Sequence, residues 1–170
     1  MRAPYPLRPF LAADTPRLQD LYAQSIEELT RDDYDDDQRL AWIARAADGA
    51  AFAARLQRNT TLLVELDGEL LGFASLTPDN ATIDLLYVHP YAAGQGVASA
   101  LLDALERLAA ARGATSLSVD ASDTAEGFFT RRGYEVVRRN TIPVEDVWLS
   151  NTTMHRPLTK PDPNANGKPR

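Results

Sequence analysis

Hydrophobic residues near the N-terminus recur with the period of an α-helix. The pattern begins after Asp14-Thr15-Pro16, which combines a capping residue with a proline in the first turn. Positions of one predicted buried stripe are Leu18, Leu21, Tyr22, Ser25, Ile26 and Leu29. An acidic run at 31–37 interrupts the pattern, and we expect further helices at 38–47 and 50–57.

Three strands are predicted in the middle of the chain. Apolar runs at 60–66 and 69–76 flank Asp67-Gly68, a strong signal for a hairpin turn. A third strand is expected at 81–88. A separate short strand at 5–11 is expected at a sheet edge, since it contains two prolines, which have no N–H to donate.

The C-terminal part alternates between helix and strand signals. A long helix is predicted at 97–112, where leucines recur at helical spacing before a terminating glycine. A strand at 115–120 and a helix at 123–132 follow. Two final strands are expected at 134–139 and 147–154.

This order of elements predicts an α/β (α+β) fold, with a mixed sheet and helices on both faces. We expect one domain at 1–158. Residues 159–170 are rich in Pro, Asn, Gly and Lys and lack apolar anchors, which is typical of a disordered tail.

Composition narrows the function classes. A net charge of −6 and a pI near 4.9 argue against a protein that binds nucleic acid through a basic face. Without cysteine, the chain has no disulfide, thiolate metal site or thiol nucleophile, and no HExxH-like spacing predicts a metal. Neither a signal peptide nor an apolar run of about 20 residues is present, so we expect a cytoplasmic protein that does not bind membranes.

The most informative segment joins a strand to a long helix through Gly94-Gln-Gly96-Val-Ala98. Small residues there leave the backbone N–H groups at the predicted start of a helix exposed. Exposed N–H groups at a helix N-terminus can bind a diphosphate. Two alternatives remain from spacing alone. One is a tight turn without a ligand. The other is a dinucleotide-binding domain in which Asp120 holds a ribose, but the elements that follow do not provide the further parallel strands of that fold.

Two motifs resemble those of the GNAT N-acetyltransferases. Val88-His-Pro with Gly94-Gln-Gly-Val-Ala98-Ser-Ala-Leu-Leu is similar to their acetyl-CoA-binding motif. Ala125-Glu-Gly-Phe-Phe-Thr-Arg-Arg-Gly-Tyr134 is similar to their second motif. The patterns at 119–122 and 151–154 resemble the YafP-like bacterial branch. The resemblance implies a mostly antiparallel sheet splayed between strands 4 and 5.

The resemblance also implies where acetyl-CoA binds. Pantetheine would pair with the backbone of the fourth strand, the diphosphate would meet the glycine-rich turn, and the second motif would flank the thioester. The implied cofactor-binding residues are Leu86, Tyr87, Val88, Ala93, Gly94, Gln95, Gly96, Val97, Ala98, Ser99, Ser122, Ala125, Phe128, Phe129, Arg131 and Arg132. Ala93 departs from the family, which often has Gln or Arg there.

Few residues are candidates for acid–base catalysis. Asp84 stands where the family frequently has an acid and is the candidate base. The family often has a tyrosine as general acid where this chain has Phe129, which cannot donate a proton. Tyr87 and Tyr134 are the substitute candidates, and the backbone N–H of Tyr87 or Val88 is expected to meet the oxyanion.

The acceptor is expected to be a small-molecule amine, with a cationic amine as one form. Candidate acceptor-binding residues are Asp32, Tyr34, Asp36 and Trp42, on and after the acidic run. Two other functions stay open: a CoA-binding sensor or scaffold without catalysis, and acetylation of a protein N-terminus or lysine. Either a monomer or a homodimer is expected.

Overall fold

A seven-stranded sheet forms the centre of the structure, a computed structural model that describes residues 4–159. Its order is β1-β2-β3-β4-β5-β7-β6, and only β4 and β5 pair in parallel. The strands are β1 Leu7–Pro9, β2 Thr60–Leu66, β3 Glu69–Leu76, β4 Thr82–Val88, β5 Ser116–Ser122, β6 Glu135–Val144 and β7 Val147–Pro157. This confirms the predicted mixed, mostly antiparallel sheet. The predicted tail lies, from residue 160, outside the described residues.

Helices cover both faces of the sheet, as predicted. The helices are α1 Thr15–Leu29, α2 Asp36–Ala44, α3 Gly49–Arg58, α4 Val97–Ala111 and α5 Glu126–Arg131. One core joins α1 and α3 to the sheet through side chains such as Leu18, Phe52 and Phe73. The other joins α4 and α5 to the opposite face through Leu101 and Phe129.

Capping interactions differ from the prediction at the starts of two helices. Helix α2 begins at Asp36, two residues before the prediction, because the Asp35 carboxylate accepts from the Gln38 N–H while the Gln38 amide accepts from the Asp35 N–H. The predicted cap Asp14 is not a side-chain cap. Its carboxylate instead accepts from Arg8 and from the Leu11 N–H.

A β-bulge at Asp84 governs the centre of the sheet. Ser75 pairs with Leu85 but Leu76 pairs with Ile83, so Asp84 has no partner on β3. The extra residue reverses the alternation of side chains between the two faces of the sheet. Ile83 and Leu85 therefore pack into the cores on opposite faces. Pairing between β4 and β5 ends at the same level, since Ile83 and Val119 form the last couple. The two strands are thus splayed beyond Ile83, as the resemblance implied.

Gly72 on β3 sets the approach of α4 to the sheet. A Cβ at this position would lie 2.8 Å from Val97 Cγ1 and 2.9 Å from the Tyr87 carbonyl oxygen. Only a residue without a side chain lets the first turn of α4 lie directly against β3. The start of α4 is thereby held beside the splayed end of β4.

We predict that Gly72→Ala lowers the free energy of unfolding by about 1–3 kcal/mol, because the added methyl overpacks a contact with backbone atoms. Urea unfolding would measure the change. Gly49→Ala is the matched control, since a Cβ there would come no closer than 3.5 Å to the Gln19 side chain. Equal stabilities of the two variants would contradict this account of the contact.

Candidate functional site

A cleft of about 590 Å³ lies along the gap between β4 and β5. We call it the large cleft. Its walls come from the two splayed strands, the start of α4, the start of α5 and the α1 side of the sheet. Predicted cofactor residues that line it are Leu86, Tyr87, Val88, Ala93, Gly94, Gly96, Val97, Ala98, Ser99, Ser122, Ala125, Phe128, Phe129 and Arg131.

The backbone of β4 turns alternate residues towards this cleft. The His89 N–H donates to the Leu71 carbonyl at 2.8 Å, which fixes the phase of the antiparallel ladder with β3. Tyr87 therefore bonds towards β3, while Leu86 and Val88 direct their N–H and C=O groups at the gap. Of the two N–H groups expected to meet an oxyanion, the one on Val88 faces the cleft.

The start of α4 offers unpaired donors to the same cleft. Gly96 is its N-cap in the left-handed conformation (φ 88°), and no side chain caps the helix. The first bond within the helix runs from Ala100 to Gly96, which leaves the N–H groups of Val97, Ala98 and Ser99 without an acceptor in residues 4–159. Bare donors at the positive end of a 15-residue helix fit a diphosphate.

Three predicted site residues lie elsewhere. Gln95 does not line the cleft, and its side-chain amide donates to the Tyr91 carbonyl. Arg132 forms ion pairs with Asp103 and Glu106 on α4. The Tyr134 hydroxyl also donates to Glu106, and burial, followed by that carboxylate, raises the pKa of Tyr134. The structure does not bring these three side chains to the cleft.

A second cavity of about 290 Å³, the small cleft, opens on the α2, α3 and β7 side. It shares seven lining residues with the large cleft, and we call this set the junction. The junction residues are Trp42, Ile83, Asp84, Leu85, Tyr87, Asp120 and Ser122. The two cavities therefore meet where β4 and β5 separate.

Asp84 lies at the junction but is tightly held. Arg55 donates to both of its carboxylate oxygens at 2.8 Å, and the Asn59 amide donates at 2.7 Å. Burial acts to raise the pKa of Asp84, but the hydrogen bonds and charge of Arg55, with the Asn59 amide, outweigh it and hold the pKa below its ordinary value. A carboxylate stabilised in this way is a weak proton acceptor.

Asp120 occupies the equivalent place on β5, since Asp84 and Asp120 each follow the last paired couple. One oxygen of Asp120 accepts from the Thr153 hydroxyl at 2.6 Å, and that hydroxyl accepts from the Asn140 amide. No ion pair involves Asp120 within the described part of the chain. The sequence alone suggests only a ribose-binding role for Asp120, because spacing does not show that it lines the same two cavities as Asp84.

The aromatic residues of the junction form a connected group. The Trp42 indole N–H donates to the Tyr87 hydroxyl at 3.2 Å, and the Tyr22 ring lies 4.6 Å from that of Tyr87. Desolvation raises the pKa of Tyr87 well above its ordinary value. This phenol is therefore protonated at neutral pH, and its oxygen accepts the indole hydrogen bond while its O–H remains a donor.

The acidic run is brought only partly to the site. Tyr34 lines the small cleft, and its hydroxyl donates to the Ser150 carbonyl and accepts from the Asp123 N–H. Asp36 pairs with Arg39, and neither Asp32 nor Asp36 lines either cleft. Of the four predicted acceptor-binding residues, the structure places Tyr34 and Trp42 at the cavities.

Two parallel strands separate here, and the uncapped N-terminus of a helix lies at the opening between them. This arrangement is characteristic of acyltransferases that bind acyl-CoA. The sequence profile described as the Acetyltransferase (GNAT) domain matches residues 30–156. The chain therefore belongs to the GNAT acetyltransferases and is an acetyl-CoA-dependent acyltransferase, which confirms the resemblance seen in its motifs.

Individual relatives agree with this assignment. The chain is 27% identical over 148 residues to the uncharacterized N-acetyltransferase YafP of Escherichia coli, covering 87% of this chain and 93% of that one. It is 47% identical to a GCN5-related N-acetyltransferase from Rhodopseudomonas palustris, with a TM-score of 0.90 over 93% of this chain and 98% of that structure. The PaiA N-acetyltransferase from Thermoplasma acidophilum, solved with coenzyme A, has a TM-score of 0.76 at 18% identity, over 90% of this chain and 98% of that structure.

Between residues 4 and 159, no group of three or more His, Asp or Glu side chains is arranged to hold a metal ion. Over the same range, no helix has both the length and the hydrophobicity needed to cross a membrane.

We predict that Asp84→Asn lowers the free energy of unfolding at pH 7 by about 1–2 kcal/mol, since it weakens a partly exposed charged pair. The pKa of Asp84 is depressed in the folded state, so its contribution is fully present above the unfolded pKa of about 3.9. The contribution disappears as the pH falls through the lower, folded value. Urea unfolding between pH 2 and pH 7 would show the two proteins converging in acid, and a constant difference would contradict it.

Proposed function

We propose that the chain transfers the acetyl group of acetyl-CoA to the amine of a small molecule, by direct attack in a ternary complex. The observation that carries this proposal is the meeting of two cavities at the junction. The large cleft suits a long cofactor that ends in a thioester. The small cleft opens onto the same point from the other side and is sized for a second reactant.

The contacts available in the large cleft suggest how acetyl-CoA lies there. The N–H groups of Val97, Ala98 and Ser99 would hold the diphosphate, and Arg131 lines the cleft without an ion pair among residues 4–159. The outward-facing backbone of Leu86 and Val88 would pair with pantetheine as an added strand. Binding through main-chain groups makes the absence of a Gln or Arg at position 93 tolerable.

Acetyl-CoA supplies an activated acyl carbon. The new bond joins the amine nitrogen to this carbon, the carbon–sulfur bond breaks, the amine loses one proton and the departing sulfur gains one. The Val88 N–H would stabilise the negative charge that develops on the carbonyl oxygen. The Tyr87 hydroxyl, kept protonated, would donate a hydrogen bond to the departing sulfur, and solvent would supply the proton.

Asp120 is our choice for the group that accepts the proton from the amine. It lines both cavities and is held by a hydroxyl, whereas Asp84 is neutralised by Arg55. A base must be within reach of the reacting nitrogen and must gain from accepting a proton. We therefore assign Asp84 a positioning role at the bulge, in place of the base role suggested by its family position.

We expect Ala98→Glu to weaken CoA binding by about 100-fold or more, since a carboxylate in the first turn of α4 would repel the diphosphate. Calorimetric titration with CoA would measure the loss. Ala98→Gln has the same bulk without the charge and should bind CoA more tightly than Ala98→Glu. Unchanged affinity in Ala98→Glu would place the diphosphate elsewhere.

Asp120→Asn should lower kcat by about 100-fold or more, the usual contribution of a general base, while leaving the affinity for CoA unchanged. A thiol-release assay with acetyl-CoA and a panel of amines would measure this. Asp20→Asn, on the exposed side of α1, is the control for charge loss. A normal kcat in Asp120→Asn would remove the residue as base, and an equal loss in Asp84→Asn would argue for the original assignment.

The same assay tests the proposal as a whole. Direct attack requires that thiol release from acetyl-CoA depends on the presence of an amine. A protein that binds CoA but turns over no small amine would be a sensor or scaffold, or would acetylate a protein instead. Peptides with a free N-terminus or a lysine, added to the panel, separate those two outcomes.

A further inference from the structure

We propose that the acceptor carries an anionic group, such as a carboxylate, in addition to its amine, and that Arg45 binds that group. This inference rests on the proposed function, because it assumes that the small cleft holds the acceptor. It replaces the expectation that the acidic run selects a cationic molecule, since Asp32 and Asp36 line neither cavity.

Four charged side chains line the small cleft: Arg45, Arg55, Asp84 and Asp120. Arg55 and Asp84 neutralise each other through two hydrogen bonds of 2.8 Å. One cation, Arg45, and one anion, Asp120, are left over. An occupant with one negative and one positive or proton-donating group would complement this pair.

The two remaining charges are placed in a definite order. Asp120 belongs to the junction and lines both cavities, whereas Arg45 lines the small cleft alone. An acceptor with its amine at Asp120 would therefore direct its other end towards Arg45. The cleft thus orients an amino acid-like molecule with its nitrogen facing the thioester.

Arg45 is available for this role. It is the C-cap residue of α2, where its backbone N–H bonds to the Trp42 and Ile43 carbonyls, and its side chain is exposed. Its guanidinium forms no ion pair or hydrogen bond in the described part of the chain, unlike those of Arg8, Arg39 and Arg55. A planar guanidinium can bind a carboxylate through two parallel hydrogen bonds.

The walls of the cavity define the rest of the occupant. The rings of Tyr34 and Trp42 lie 5.3 Å apart in an edge-to-face contact, and both line the small cleft. A volume of about 290 Å³ is at the small end of ligand cavities and suits a molecule the size of an amino acid. An aromatic amino acid is therefore a suitable probe.

The test compares matched ligands that differ only in the carboxylate. Calorimetry on the CoA complex would compare N-acetylphenylalanine with N-acetylphenethylamine, its decarboxylated counterpart. We expect the wild type to bind the carboxylate form at least about 10-fold more tightly, and Arg45→Gln to abolish that preference. Arg45→Lys should retain part of it. The affinity for CoA itself should not change.

Arg107→Gln is the control, because Arg107 is also exposed but lies on α4 outside both cavities. Equal binding of the two ligands by the wild type, or binding of neither, would overturn the inference. So would a carboxylate preference that survives in Arg45→Gln. Amine-dependent thiol release with phenethylamine but not phenylalanine would refute the anionic acceptor and leave the proposed function intact. If no amine supports thiol release, the proposed function itself is refuted.

Discussion

The end of pairing between β4 and β5 is the constraint on which the rest of the site depends. Beyond Ile83 and Val119, two parallel strands no longer satisfy each other's backbone groups, and the bulge at Asp84 bends β4 away from its neighbour. Unpaired N–H and C=O groups in a sheet interior are costly unless a ligand bonds to them. The fold therefore contains a gap that an extended, amide-bearing cofactor can complete.

The bulge also explains why two carboxylates at the same level behave differently. It turns Asp84 towards α3, where Arg55 and Asn59 fix it as an ion. β5 has no bulge opposite β7, and regular alternation leaves Asp120 on the cleft side, where the Thr153 hydroxyl is its side-chain partner among residues 4–159. A single extra residue in one strand thus separates a carboxylate held in an ion pair from one held only by a hydroxyl among the described residues.

Most of the fold could be predicted from local patterns, because period, turn residues and glycines act over short distances. β2 and β3 begin and end where the sequence predicts. The bulge could not be predicted, since the polar and apolar residues at 82–85 alternate as they do in a regular strand. Contacts such as Tyr34 with Ser150, 116 residues apart, depend on how distant elements pack. The sequence therefore predicts the position of the motif that resembles a cofactor site, but it predicts none of the hydrogen-bond partners of Asp84 and Asp120.

The cofactor motif is easier to predict than the acceptor site because the two proposed sites use different groups, main chain in one and side chains in the other. In the proposed function a diphosphate would be bound by main-chain donors at one helix start, which a contiguous run of small residues encodes, and this local field acts even though the chain carries a net charge of −6. The proposed acceptor site is built from side chains of α2, β5 and β7, so its specificity would be distributed along the chain. Substitutions at Arg45 or Tyr34 would then alter the acceptor site without touching the cofactor motif. Acceptor preference in this architecture must therefore be inferred from the charges that the fold leaves unpaired.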